Sequence, residues 1–249
     1  MQEIDSSLSP GVPNPTGLRL LPYTDFGDQV PVDYHMHTTH TDGSASVQQM
    51  AEAAASMRMD EILFSEHVRH TSTYYPEFVA EVREVRHPGL NIHVGVEAKV
   101  LDVNGYLDCS PQIASMCDAI VGSVHNPPAF EGRAGGSWSE FDPNSALEFE
   151  FELASAIVSK SRAHILGHPM GIAITRFNLR PLDQLYQLAC ACKTFDKAFE
   201  LNARYCFSPP EWLEIVQSAG CKVSFGSDAH RTSDVGRAWA IFMLQKRGA

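Results

Sequence analysis

The amino-acid sequence predicts an α/β fold, a distorted TIM-like (β/α)7 barrel formed by a single domain. From residue 31 onward, short apolar runs alternate with amphipathic stretches, which indicates a parallel sheet with helical crossovers. Potential metal ligands follow most of the runs, which suits a barrel because a barrel gathers its strand ends into one bowl. An open doubly wound sheet would instead concentrate such residues at one switch point. The seven apolar runs lie near residues 32–35, 61–65, 92–97, 118–124, 164–167, 197–202 and 222–227.

The first 30 residues differ in composition from the rest of the chain. Residues 1–30 are rich in proline, glycine, serine and asparagine and lack periodicity, so we expect an extended arm. This arm could either wrap the domain or be mobile. We expect residues 31–249 to form the barrel domain. A second irregular stretch, GRAGGSW at 132–138, predicts a flexible loop close to the bowl.

Three stretches between the apolar runs carry the clearest helical patterns. SVQQMAEAAASM and PEFVAEVREV are amphipathic, and Pro76 occupies the first turn of the second one, where proline is tolerated. A third helix begins at Asp142-Pro143, with Asp142 as the expected N-cap. Its predicted buried stripe consists of Leu147, Phe151, Ala154 and Val158.

Composition and charge limit the classes of partner. The formal net charge of −11 argues against a protein held to nucleic acid by a broad basic surface. No apolar run approaches the roughly 20 residues that span a bilayer, and the N-terminus shows no signal-peptide pattern. The six cysteines form no CxxC pair and are typical of reduced thiols. We therefore expect a cytoplasmic protein that does not act at a membrane. The negative charge does not exclude a small anionic substrate, and the oligomeric state stays open.

Nine histidines and acidic residues form the main functional signal. His35 and His37 are two residues apart in a predicted strand, so both imidazoles can face one ion. Asp228 and His230 repeat this spacing near the C-terminus. Glu97 ends a run that would otherwise lie in the core, where an unpaired carboxylate is costly, so it is a candidate to bridge two cations. The predicted metal ligands are His35, His37, Asp42, His67, Glu97, His125, His168, Asp228 and His230.

Some assignments stay open at the level of sequence. In the polar loop after the first histidine pair we favour Asp42 as a ligand, but His40 could replace it. His93 and His164 lie inside their apolar runs, and we interpret both as structural.

The sequence resembles the PHP (polymerase and histidinol phosphatase) family of metal-dependent phosphoesterases, in its stand-alone bacterial form. The resemblance covers about residues 32–245. It implies a distorted (β/α)7 barrel with up to three divalent ions of zinc, manganese or iron at its C-terminal face. The motifs that carry it are His35-Met36-His37, Asp42-Gly43, Ser65-Glu66-His67, Gly95-Val96-Glu97, His125, Gly167-His168-Pro169 and Asp228-Ala229-His230.

The resemblance also implies how the ligands divide among two to three ions. The first ion would be held by His35, His37, Glu97 and Asp228. The second would be held by His125, His168 and the shared Glu97. The third would be held by Asp42, His67 and His230.

The expected reaction is hydrolysis of a phosphate monoester of a small metabolite by a metal-activated water at a trinuclear site. The residues expected to take part in catalysis are Glu97, Asp228 and His230. His230 or Glu66 could protonate the leaving group. Arginine can grip a phosphate with two hydrogen bonds. The predicted phosphate contacts are Arg69, Lys99 and Arg204.

Other functions compete with this interpretation. Histidinol phosphatases tend to carry Cys-x-His-Gly where this chain has HTDG at 40–43. An exonuclease or phosphodiesterase would act on short nucleic acid, but the negative net charge of the chain disfavours binding of a polyanion. A binuclear amidohydrolase usually lacks a histidine two residues after its last aspartate, and this chain has His230. A non-catalytic scaffold would have lost ligands that are all kept here.

Overall fold

The computed structural model describes residues 16–26, 30–128 and 136–246. The remainder of the expected arm, residues 1–15 and 27–29, lies outside the described residues, as do residues 132–135 of the expected loop. The division of the chain at residue 30 therefore stays a prediction.

Strands and helices alternate along the described chain. The strands are β1 (Leu21–Pro22), β2 (Val32–Met36), β3 (Glu61–Val68), β4 (Asn91–Lys99), β5 (Ala119–Ser123), β6 (Ile165–Leu166), β7 (Ala198–Asn202) and β8 (Lys222–Gly226). The α-helices are α1 (Val47–Ser56), α2 (Tyr75–Glu84), α3 (Pro111–Met116), α4 (Pro143–Lys160), α5 (Gly171–Phe177), α6 (Leu182–Thr194), α7 (Pro209–Ala219) and α8 (Arg237–Lys246). Each of the seven predicted apolar runs coincides with one strand, from β2 to β8, and β2, β3 and β4 extend beyond their runs.

The sheet has the strand order β1-β8-β7-β6-β5-β4-β3-β2, and β2 to β8 are mutually parallel. The two ends of this parallel array meet at a narrow seam. There the N–H of His37 donates to the carbonyl of Ala229 at 2.8 Å, and the N–H of Ala229 donates to the carbonyl of His35 at 3.2 Å. The sheet ladder is not continuous across the seam, where an isolated parallel bridge joins Met36 to Ala229. The predicted α/β fold is therefore confirmed, with the sheet of a distorted, incompletely closed (β/α)7 barrel.

Strand β1 is an addition that the sequence analysis did not predict. It pairs antiparallel with β8 through Leu21 and Val223. The described part of the arm continues onto the barrel, because the Tyr23 hydroxyl donates to the carbonyl of Phe242 in α8 at 3.0 Å. A two-residue strand produces no periodicity, which explains why the local pattern did not reveal it.

Helix α4 confirms its predicted start but has a wider buried face than predicted. The Asp142 side chain accepts hydrogen bonds from the N–H groups of Asn144 and Ser145 at 3.0 and 3.1 Å, as an N-cap does. Leu147 and Phe151 are only partly buried. The helix contacts β5, β6, α5 and α6, so more than one stripe is covered. Its buried apolar residues are Ala146, Phe149, Leu153, Ala154, Ala156, Ile157 and Val158.

No helix within the described ranges is long and apolar enough to cross a bilayer. The six cysteines are all free thiols. The cytoplasmic location stays a prediction.

His164 ties three neighbouring strands together just before β6. Its Nδ1 accepts a hydrogen bond from the N–H of Ile120 at 3.0 Å, and its carbonyl accepts one from the N–H of Ala198 at 2.9 Å. Burial lowers the pKa of His164 to about 4, and the nearby charges of Lys197 and Arg162 act in the same direction. The folded barrel therefore holds this imidazole in its neutral form.

We expect His164 to make the barrel less stable in acid. The unfolded chain takes up the proton at a pH of about 6.5. Stability from the neutral ring is therefore fully present above that pH and is lost as the pH falls through about 4. The variant His164→Asn keeps an acceptor near the position of Nδ1 but cannot be protonated. The free energy of unfolding in urea is measured for the variant and the wild type at each pH. The difference, variant minus wild type, should increase by about 3 kcal/mol as the pH falls from roughly 7 to 4. A difference that does not change with pH would contradict this assignment.

Candidate metal centre

All nine predicted ligands converge at the mouth formed by the C-terminal ends of the strands. His35 lies in β2, His67 in β3 and Glu97 in β4, and the others follow β2, β5, β6 or β8 by one to six residues. A cavity of about 500 Å³ opens above them. Its lining includes Asp42, His67, Glu97, His125, His168, Asp228 and His230.

Glu97 forms the centre of the cluster. Its side chain is almost fully buried, and imidazole nitrogens surround both carboxylate oxygens. Burial alone would raise the pKa of Glu97, but His125 and His35 outweigh it and hold the pKa well below its usual range. A buried carboxylate shared in this way has the arrangement of a bridging group. The nitrogens are Nε2 of His168 at 2.8 Å, Nε2 of His125 at 2.9 Å, Nδ1 of His67 at 2.9 Å, Nε2 of His35 at 3.3 Å and Nε2 of His37 at 3.5 Å.

Asp228 supplies a second carboxylate beside the first histidine pair. Its Oδ1 lies 3.4 Å from Nε2 of His37 and 3.8 Å from Nε2 of His35. Burial acts to raise the pKa of Asp228, but the close contact with the His37 ring and the charge of His35 lower it below its usual range. Asp228 and His168 both adopt positive φ angles, of 50° and 25°, which is uncommon for residues other than glycine.

Asp42 stands at the rim of the cluster. Its Oδ2 lies 3.3 Å from Nε2 of His230 and 3.5 Å from Nε2 of His67. His40, the alternative, turns away, because its Nε2 lies 2.7 Å from Oε2 of Glu81. The geometry therefore favours Asp42 over His40 as a ligand.

The donor atoms fit divalent cations. The donor atoms form three groups, and within each group the atoms lie within 4.8 Å of one another. His168 and Asp228 belong to none of these groups, but His168 contacts Glu97 and Asp228 contacts His37. Nε2 of His35 and both ring nitrogens of His37 are buried and make no hydrogen bond with the described residues. Buried polar atoms normally have a partner, and imidazole and carboxylate together suit zinc, manganese or iron. The three groups are His37, Asp42, His67 and His230; His35, His37 and Glu97; and His67, Glu97 and His125.

The three predicted phosphate-binding residues all line the same cavity. Arg204 reaches Oδ2 of Asp228 with Nη1 at 3.3 Å, and its guanidinium lies 5.8 Å from the centre of the Tyr205 ring. Lys99 lies 3.7 Å from the carboxylate of Asp108. Arg69 lines the cavity beyond β3. The bowl therefore combines buried acids and imidazoles with three cationic side chains.

Both candidate general acids are engaged by neighbouring groups. Glu66 is fully buried, and its carboxylate accepts hydrogen bonds from Thr38 and Thr41 of the loop that carries Asp42. Nδ1 of His230 lies 2.8 Å from the carbonyl oxygen of Asp228, which can only accept, so Nδ1 carries the proton. In the neutral ring, Nε2 then faces Asp42 with a lone pair, which suits a ligand better than an acid.

Sequence reasoning missed Glu200, which lies fully buried in β7 against the ligands. Its Oε1 lies 2.6 Å from Nδ1 of His35, and its Oε2 accepts a hydrogen bond from the N–H of His168. The argument that singled out Glu97, a carboxylate inside an apolar run, applies equally to Glu200 in AFELN. Tyr205 was also missed, and its ring centre lies 4.9 Å from that of His168.

Comparisons with known proteins agree with this geometry. The sequence profile of the PHP domain matches residues 33–204. A probable phosphatase of Thermoanaerobacter sp. (strain X514) is 27% identical over 157 residues, which cover 60% of this chain and 56% of that protein. The DNA polymerase/3'-5' exonuclease PolX of Bacillus subtilis (strain 168) is 26% identical over 216 residues, which cover 81% of this chain and 34% of that protein. The chain thus spans about half the length of the first of these relatives and a third of the second.

A solved structure shows the same fold. It is the histidinol phosphate phosphatase of Lactococcus lactis subsp. lactis in complex with zinc, L-histidinol and phosphate. The TM-score is 0.65 at 17% sequence identity, and the match covers 88% of this chain and 94% of that one.

Proposed function

The chain belongs to the PHP domain family, and from that membership we propose that it is a metal-dependent phosphoesterase that hydrolyses a phosphate monoester of a small metabolite. One observation carries the proposal. The buried carboxylate of Glu97 is contacted by five imidazoles beneath a cavity that three cationic side chains line. Such a site can hold several cations and attract a phosphate at the same time.

We propose two to three divalent ions of zinc, manganese or iron in this site. Ions of this kind neutralise phosphoryl oxygens and activate water. The first ion is assigned to His35, His37, Glu97 and Asp228. The second is assigned to Glu97, His125 and His168. The third is assigned to Asp42, His67 and His230.

The other side chains of the bowl bind and orient the substrate in this proposal. Arg204 is held in place by Asp228, so its remaining N–H groups can donate to a phosphate. Lys99 and Arg69 add positive charge at other parts of the lining. A cavity of about 500 Å³ lies within the range that suits small ligands.

The proposal is tested with para-nitrophenyl phosphate and its diester. Metal-free protein is refilled with Mn²⁺ or Zn²⁺, and bound metal per chain is counted in parallel. We expect monoester turnover that requires metal, with two to three ions bound. Bound metal without turnover of either ester would contradict the proposal and direct attention to amide and lactone substrates.

A second candidate function is hydrolysis of phosphodiesters in short nucleic acids. The match to PolX over 81% of this chain favours testing it. Turnover of the diester alone would support this function over the first. Within the monoester class, L-histidinol phosphate is one compound for the screen of phosphorylated metabolites, because the structural neighbour was solved with L-histidinol and phosphate.

The choice between Asp42 and His40 gives a direct prediction. Asp42→Asn is expected to remove a charged donor between His67 and His230, so the protein should lose about one bound ion per chain. His40→Asn breaks the contact with Glu81 and the ring contacts with Tyr74 and Phe78, none of which is a predicted ligand, so it should keep the full metal content. The metal content of both purified variants checks this, and the reverse result would make His40 the ligand.

A further inference from the structure

Among the parallel strands β2 to β8, β7 alone neither contains a predicted ligand nor directly precedes one. Its contribution to the metal centre is made instead by Glu200, which is fully buried behind the ligands. β7 lies between β6 and β8, so Glu200 is next to both the strand that precedes His168 and the strand that precedes Asp228. None of the three donor groups includes Glu200.

The two oxygens of Glu200 hold two different ligands. Oε1 lies 2.6 Å from Nδ1 of His35, which leaves Nε2 of that ring directed at Glu97 and Asp228. Oε2 accepts from the main-chain N–H of His168, whose backbone has a positive φ, and from Nδ2 of Asn202 at 3.1 Å. Nε2 of His168 is then 2.8 Å from Glu97.

We propose that Glu200 is a positioning residue that orients His35 and His168 toward the first and second ions. The inference rests on the proposed function, because it concerns the ions assigned there. A carboxylate that occupies the second nitrogen of a ligating histidine fixes the orientation of the ring and makes it more basic. Glu200 does this for the ring of His35, and it holds His168 by accepting a hydrogen bond from the main-chain N–H of that residue, so a single carboxylate positions ligands of two ion sites.

The conservative variant Glu200→Gln separates this role from simple space filling. Glutamine fills the same volume, but it has one acceptor oxygen and one NH₂ group where the carboxylate has two acceptors. Because His35 and the His168 N–H each use a different oxygen, at least one of them must lose its acceptor.

Glu150 offers a matched control. Its carboxylate is also buried and accepts two main-chain hydrogen bonds, from Ile172 at 2.9 Å and from Ala173 at 2.7 Å. Those donors belong to α5 and are not predicted ligands. Glu150→Gln therefore costs a similar buried hydrogen bond without turning a ligand.

The test measures Mn²⁺ and Zn²⁺ affinity of the full chain by competition with a chelating dye, together with kcat and KM for para-nitrophenyl phosphate. Glu200→Gln is expected to bind metal about 10- to 100-fold more weakly and to lose kcat more than KM, while Glu150→Gln binds like the wild type. Wild-type metal affinity in Glu200→Gln, or an equal loss in both variants, would overturn the inference.

Two further measurements keep the outcome decisive. If Glu200→Gln does not fold, Glu200→Asp retains both oxygens but withdraws them from His35, and it should also bind metal at least about 10-fold more weakly. Wild-type affinity in that variant would overturn the inference. If the wild type binds no metal, the proposed function and this inference are both overturned. If the wild type binds metal and the Glu200 variants bind it equally well, this inference alone is overturned.

Discussion

Replacing Glu97 by glutamine is expected to produce the largest loss of activity of any single substitution in this protein. The amide has no charge and only one acceptor oxygen, so it cannot serve the imidazoles that now share two oxygens. We expect turnover of para-nitrophenyl phosphate to fall about 1000-fold or more, as when a principal electrostatic group is removed from an active site. Metal analysis of the same sample should show the loss of at least one ion per chain.

Glu61→Gln is the control for that substitution. Glu61 is also a buried glutamate, but it begins β3 at the opposite end of the barrel, where the Tyr34 hydroxyl donates to it at 2.6 Å. The control should retain activity and metal. If Glu97→Gln kept wild-type turnover and metal content, the bridging role of Glu97 would be wrong.

The substitution Gly226→Ala is expected to damage stability and metal binding together. Gly226 lies in β8 beside Asn202 of β7, and an added Cβ would overlap the Glu200 carboxylate. Either the strands separate or Glu200 withdraws from His35. Overpacking of this kind costs about 1–3 kcal/mol of unfolding free energy, and the displaced carboxylate should also weaken metal binding. Urea unfolding and a chelator competition assay measure the two effects.

Gly122→Ala provides the matched comparison for this second substitution. Its added Cβ would come within 2.7 Å of Cγ2 of Ile157 and within 2.8 Å of Cβ of Ala163, so it also crowds a strand. These neighbours are apolar and touch no predicted ligand through a hydrogen bond. Gly122→Ala should therefore lose stability and keep its metal affinity. If the two variants lost metal affinity equally, crowding in general would explain the loss.

The sequence predicted the barrel because each parallel strand is buried on both faces and appears as a continuous apolar run. It also predicted the convergence of the ligands, since residues such as His125 and His168 follow strands whose ends meet in any barrel. The role of Glu200 could not be predicted from local pattern. That role depends on the register between β7 and β8, which places Gly226 where a larger side chain would exclude the carboxylate.

The orientations of polar side chains also could not be predicted from the local sequence pattern. His40 and Asp42 are two residues apart in one loop, and the contacts of His40 with Glu81 and Phe78 of α2 show why His40 turns away. The sequence suggested Glu66 for proton transfer, but the hydroxyls of Thr38 and Thr41 donate hydrogen bonds to its carboxylate. Such choices depend on contacts between segments far apart in the chain.

The position of the seam means that the proposed first ion would affect the stability of the barrel. Between β2 and the residues after β8, the first and last strands of the parallel array are joined by few main-chain hydrogen bonds. The proposed ligands of that ion come from both sides of this seam, His35 and His37 from one and Asp228 from the other. An ion held there would act as a cross-link between distant parts of the chain. Mass action would then tie resistance to heat and proteolysis to the supply of metal in the cell.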